Sequence, residues 1–115
     1  MFCNVGRASD SQRRRFPRFR CDESVTIRVM REEKPKFLHG RAATLGEGGI
    51  GVHISEELTV GDVIDLQILL PVGPLHVPAS VRYQSGSVFG CEFLALGMPE
   101  REYIRNACTQ LPRIS

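Results

Sequence analysis

No apolar run in the 115-residue sequence approaches the roughly 18 residues of a membrane-spanning helix. The basic N-terminal segment also lacks the apolar stretch that follows the basic start of a secretory signal. Both absences predict a cytoplasmic protein without membrane insertion. A mitochondrial presequence is opposed by Pro17, which would break the amphipathic helix that such a segment forms. Cysteine is scarce: Cys3, Cys21, Cys91 and Cys108 show no CxxC pair and no even spacing. That pattern speaks against a zinc site and a disulfide framework, and predicts reduced thiols with Cys91 and Cys108 in the core. No Ser or Cys stands at a recognisable spacing from a base. His39, His53 and His76 are scattered singly, as exposed or hydrogen-bonded strand histidines are. No catalytic or metal-binding residue is assigned, and the chain is not expected to be an enzyme.

A large net charge is missing too. The formal total is +2, but residues 1–20 carry six arginines against Asp10 alone, a balance of +5 that leaves −3 for the remainder. The basicity is therefore local, with five arginines in the ten residues of "SQRRRFPRFR". Such a segment suits a nucleic-acid tail, a solvated leader or a clamp for one phosphorylated ligand, because each guanidinium is a planar fork of donors that fits phosphate and stacks on flat rings. Nucleic-acid proteins usually spread positive charge over a folded face, and here the body is mildly acidic. Nucleic acid is not an expected partner. Residues 1–20 are read as a flexible arm, since six arginines with few apolar anchors repel one another and bury little surface.

What remains, with 42% hydrophobic residues overall, suffices for one domain with a single core. Period-2 alternation dominates from residue 24. Val25, Ile27 and Val29 form the inward row of a first strand, ended by a charged loop, "REEKPK". "FLHGRAATL" is a second strand, and Ile50, Val52 and Ile54 mark a third, after a "GEGG" turn whose glycines are expected at positive φ. Ile64, Leu66, Ile68 and Leu70 form the inward row of a fourth strand, stopped by "PVGP". Leu75, Val77, Ala79, Val81 and Tyr83 give a fifth, in which Pro78 demands an edge or bulge. Phe89, Cys91 and Phe93 give a sixth. Adjacent carboxylates, Glu32 with Glu33 and Glu56 with Glu57, belong to solvated turns. After Pro99 the period changes, and Tyr103, Ile104, Ala107, Cys108 and Leu111 lie on one stripe of a helix. Pro99 suits its first turn, and Glu100 and Glu102 favour its positive end. The sum is an all-β, six-stranded antiparallel barrel with a C-terminal helix over residues 21–115.

"GEGGIG" fits GxGxxG at Gly46, Gly48 and Gly51, but a dinucleotide turn must open a helix, and here a strand follows. A hairpin is the better reading.

In order, these features resemble the PilZ domain, a bacterial receptor module for cyclic di-GMP, over roughly residues 12–112. "RRRFPR" matches the family's RRxxxR through Arg13, Arg14 and Arg18, and "VGDVIDLQILLP" and "VFGCEF" are similar to its later strands. The second motif, [D/N]xSxxG, falls on "TLGEGG". Thr44 stands where Asp or Asn is usual, Gly46 where Ser is usual, and Gly49 conforms. The resemblance implies a cyclic di-GMP receptor or adaptor in which Arg14 and Arg18 close over the ligand and Thr44, Gly46 and Gly49 line the hairpin side. It implies no cofactor besides that ligand, and a downstream protein as the route of output. In the family, an arginine placed like Arg13 tends to accompany two intercalated ligands per chain. The alternative is a degenerate PilZ-like module that binds a protein partner and no nucleotide.

Overall fold

The structure, a computed structural model, describes residues 18–55, 58–70, 73–111 and 113–114. Residues 1–17 lie outside it, with Arg13, Arg14 and Cys3 among them, as do Glu56 and Glu57. Seven strands and one helix are described: β1 (Arg18–Arg31), β2 (Lys34–Leu45), β3 (Gly49–His53), β4 (Val63–Leu70), β5 (Gly73–Ser85), β6 (Val88–Phe93), α1 (Met98–Cys108) and β7 (Arg113–Ile114). The order β2-β3-β6-β5-β4-β1 is closed by pairing of β1 with β2, and every ladder is antiparallel. This is the expected six-stranded barrel. The two-residue β7 is added against the start of β1, Arg18↔Ile114 and Phe19↔Arg113.

The inward rows form one core. Ile27, Leu66, Ile68, Val52 and Val81 are fully enclosed, and Ile104, Ala107 and Cys108 bring the helix stripe against the same cluster. Among the described residues no polar or charged side chain is buried, which is the arrangement that costs least in desolvation. Gly97 caps the start of helix α1, which carries a proline in its first turn and Glu100 near its positive end.

The structure departs from the sequence expectations in several places. "REEKPK" is no loop: β1 and β2 run on to Arg31 and Lys34, joined by Glu32 and Glu33 with φ of 53° and 65°. Positive φ at both central residues is the type I′ geometry that matches the twist of a hairpin. The hairpin glycines have no positive φ; the described glycines that do are Gly61, Gly73 and Gly86. Close approach explains Gly49 instead, where a Cβ would sit 2.3 Å from the Cys91 carbonyl oxygen across the β3–β6 ladder.

Tyr83 is not in the inward row. The β5–β6 register shifts between Val81 and Tyr83, so Arg82 is an extra residue and Tyr83 pairs with Gly90. Phe89 and Cys91 on either side of Gly90 are buried. Tyr83 therefore lies on the outer face, its ring in the space a Gly90 side chain would take. Pro78 is accommodated at the end of that ladder. Its carbonyl accepts from Leu94 N–H at 2.9 Å, beyond the last β6 residue, so the missing donor faces no strand partner. Arg18–Arg20, assigned by the sequence to the arm, begin β1, with Phe19 packed against the core.

Candidate functional site

The site is built where β1 begins and β2 ends. Arg20 pairs with Thr44, Thr44 with Gly51, and Gly51 with Gly90, so one row crosses four strands on the outer surface of the barrel. Alternation places Leu45 inward and Thr44 outward, after a register shift between Ala42 and Thr44. On this row Gly51 leaves room for the Thr44 side chain, since a Cβ at Gly51 would lie 2.8 Å from Thr44 Oγ1.

Arg18 reaches across from β1 and donates from Nη1 to Thr44 Oγ1 at 3.0 Å, a partly buried bond between residues 26 apart. Its Nη2 lies 3.2 Å from the position of a Gly49 Cβ. The guanidinium thus bridges both ends of the "TLGEGG" segment, and Gly49 keeps that surface open. Three of the six residues expected at the site, Arg18, Thr44 and Gly49, come together. Gly46 sits in the same hairpin, its N–H donating to the Gly49 carbonyl at 2.9 Å. Arg13 and Arg14 lie outside the described residues.

Sequence reasoning missed Glu47. Its carboxylate is gripped by Arg105 of α1, which donates from Nε at 3.2 Å and Nη2 at 3.1 Å to the two oxygens. The ion pair holds the Arg105 guanidinium above its usual pKa, through the hydrogen bond first and the Glu47 charge second. Phe19, Glu47, Arg105, Cys108 and Thr109 line a cavity of about 160 Å³. No periodicity signals a contact spanning 58 residues; only the absence of apolar character at Glu47 and Arg105 was on view.

Among the described residues, Cys91 and Cys108 are buried free thiols and Cys21 is partly buried. Burial pushes Cys91 up to about 12, against a small opposing effect of the Arg18 charge. Cys108 rises to about 11 through burial and the Glu47 charge. Cys21, half-buried, is likewise raised to about 11, by burial first and then by Glu23. His53 Nδ1 is 3.1 Å from Ser87 Oγ, and His39 and His76 are exposed. Among the described residues no cluster of His, Cys, Asp or Glu could hold a metal ion, and no helix is long and apolar enough to cross a membrane.

Solved structures share this architecture. The PilZ domain of YcgR from Escherichia coli, determined with c-di-GMP, superposes with a TM-score of 0.73 at 16% identity, covering 87% of this chain and 92% of that one. The Bacillus subtilis inhibitor of motility MotI/DgrA gives 0.69 at 20% identity, over 86% of this chain and 51% of its own length. The PilZ domain of CeSA from a cellulose synthesizing bacterium gives 0.63 at 13% identity, over 81% and 95%. At these identities the likeness establishes the fold. A comparison with curated protein sequences finds no match. The family model for the PilZ domain matches residues 12–110, a span that includes both the RRxxxR and "TLGEGG" segments and all six barrel strands. The chain belongs to the PilZ domain family.

Proposed function

We propose that the chain is a cyclic di-GMP receptor that passes the level of this second messenger to a partner protein. One observation carries the reading: Arg18 meets Thr44 at 3.0 Å with Gly49 beneath its guanidinium, so the two motif segments converge on one outer surface. Cyclic di-GMP offers two phosphates and two guanine faces, and arginines supply bidentate donors and planar cations for both. Membership of the PilZ family and the fold shared with the c-di-GMP-bound YcgR domain support the assignment. In this reading Arg14 joins Arg18 on the ligand, and residues 1–17 become ordered over it. Arg13 adds a guanidinium that stacks on a further guanine, giving two ligands per chain.

Titration calorimetry with cyclic di-GMP tests this directly. Arg14→Ala should weaken binding by about 2 kcal/mol, the worth of a charge-assisted contact. A stoichiometry of one that Arg13→Ala leaves unchanged removes the two-ligand arrangement. Trypsin should cut at Arg13–Arg15 rapidly without ligand and slowly with it; equal cutting rejects the clamp.

A second reading, a protein-interaction module without nucleotide, draws on the hairpin. The Thr44 hydroxyl already accepts from Arg18, and Gly46 offers no side chain where the family has Ser. Absence of cyclic di-GMP binding by a folded protein would reject the receptor reading and favour this one.

A further inference from the structure

The hairpin that carries Thr44 and Gly49 is rich in glycine. Glycines occupy positions 46, 48 and 49, and glycine has the most backbone freedom to lose on ordering. Two backbone bonds fix it locally, Gly46 N–H to the Gly49 carbonyl and Phe93 N–H to the Gly48 carbonyl, both at 2.9 Å. The side chain between these glycines, Glu47, reaches to α1. Arg105 holds both of its oxygens, and the Glu47 side chain keeps only 17% of its exposure. Three residues further along the same helix face, Cys108 Sγ lies 3.7 Å from the Leu45 carbonyl oxygen. The helix therefore grips the hairpin at two successive points, and Ile104, Ala107 and Cys108 anchor the helix in the core.

We propose that Arg105 and Glu47 are positioning residues for the ligand site: their bidentate pair sets the hairpin that presents Thr44 and Gly49, and ties its conformation to α1. The inference rests on the cyclic di-GMP reading and deepens it. In this role Arg105 acts through Glu47. An ion pair whose arginine stays half-exposed contributes little to global stability. Fixing a glycine-rich loop before the ligand arrives contributes to affinity, because the ordering cost is removed from the binding step. Coupling is reciprocal, so ligand on the hairpin strengthens the grip on α1.

The test pairs two measurements on the full chain: cyclic di-GMP affinity, and amide exchange at Gly46 and Phe93 without ligand. Arg105→Ala and Glu47→Gln should each weaken binding about fivefold or more, with melting temperatures close to wild type and faster exchange at both amides. The double variant should bind no worse than the weaker single, as expected for one shared contact. The charge swap Glu47→Arg with Arg105→Glu should recover part of the loss. Arg28→Ala, which removes a separate surface pair with Asp65 between β1 and β4, should change neither readout. Unchanged affinity or unchanged exchange in Arg105→Ala overturns the proposal, as does strict additivity in the double variant. If wild type binds no cyclic di-GMP, the receptor reading fails on that measurement alone. The exchange rates then still decide whether the latch orders the hairpin.

Discussion

At the scale of single residues, the bond between Arg18 and Thr44 changes what a motif-restoring substitution would do. Thr44→Asp would place a carboxylate against the guanidinium that now donates at 3.0 Å to a hydroxyl, so an ion pair would form without ligand. That pair competes with ligand phosphate, and salt weakens the competition. Gly46 is not among the residues with positive φ, so Gly46→Ser carries no left-handed strain. Two restored polar contacts, at about 1 kcal/mol each, predict roughly tenfold or more tighter cyclic di-GMP binding for Thr44→Asp with Gly46→Ser. Thr44→Asp alone should gain less, and gain more at high salt than at low. Calorimetric titrations at two salt concentrations check this, and no gain by the double variant even at high salt would count against a hairpin that faces the ligand. The buried thiols give a second prediction. Cys91 is held at about 12 and Cys108 at about 11, against 9.0 for an ordinary thiol. The neutral thiol is favoured in the fold, so this stabilisation is fully present below pH 9. It is lost as pH rises from 9 through 11 to 12, because unfolded thiols ionise first. Each thiol contributes a slope of up to about 1.4 kcal/mol per pH unit in that window. Urea unfolding at pH 8 and pH 10.5 should show a smaller drop for Cys91→Val than for wild type.

At the scale of elements, the sequence displayed what periodicity can carry. The rows through Val25–Val29, Ile64–Leu70 and Leu75–Val81 alternate strictly because one face of each strand is core, and all are buried. The stripe of α1 was legible for the same reason at its own period. Bulges and turns were not, because they depend on a single backbone residue. One extra residue at Arg82 turned Tyr83 out of its apparent row. Glu32 and Glu33, charged and exposed, gave no sign of adopting the geometry usually taken by Asn-Gly. That choice is locally strained, since a left-handed conformation costs a non-glycine residue about 1 kcal/mol or more. Both side chains point into solvent, so replacing them relieves the backbone without disturbing the core. Glu32→Asn with Glu33→Gly should therefore stabilise the protein by about 1 kcal/mol. The urea midpoint should rise with an unchanged slope. A fall in midpoint would mean that the two glutamates make favourable interactions elsewhere.

At the scale of the whole molecule, β1 is the seam of the barrel, and its two halves are held differently. From Val25 to Val29 it pairs with β2 on one side and β4 on the other. At Arg18 and Phe19 the neighbours are instead β7 and, from Phe19, β2. The end that presents Arg18 therefore lies outside the β4 ladder, and two residues following the helix occupy that edge. The sequence displayed half of this arrangement: RRxxxR and "TLGEGG" could be matched to a family, and both fall within the matched span. The join between them could not be seen, because a two-residue strand has no period and a pairing across 26 residues leaves no local trace. The closure nevertheless makes a prediction about the molecule as one unit. Deleting residues 113–115 removes the β7 ladder from Arg18 and Phe19, and leaves intact the β1–β4 pairing and the core around Ile27 and Leu66. Phe19 keeps its β2 partner Leu45, so ordering of Arg18 would fall on the binding step, at about 1–2 kcal/mol for one backbone residue. Cyclic di-GMP affinity should fall by about tenfold, while the melting temperature stays within a few degrees of wild type. Protease cleavage after Arg18 and Arg20 should accelerate in the shortened chain and slow again when ligand is added. Equal affinity for the two chains, with cleavage unchanged, would show that β2 alone fixes the arginine.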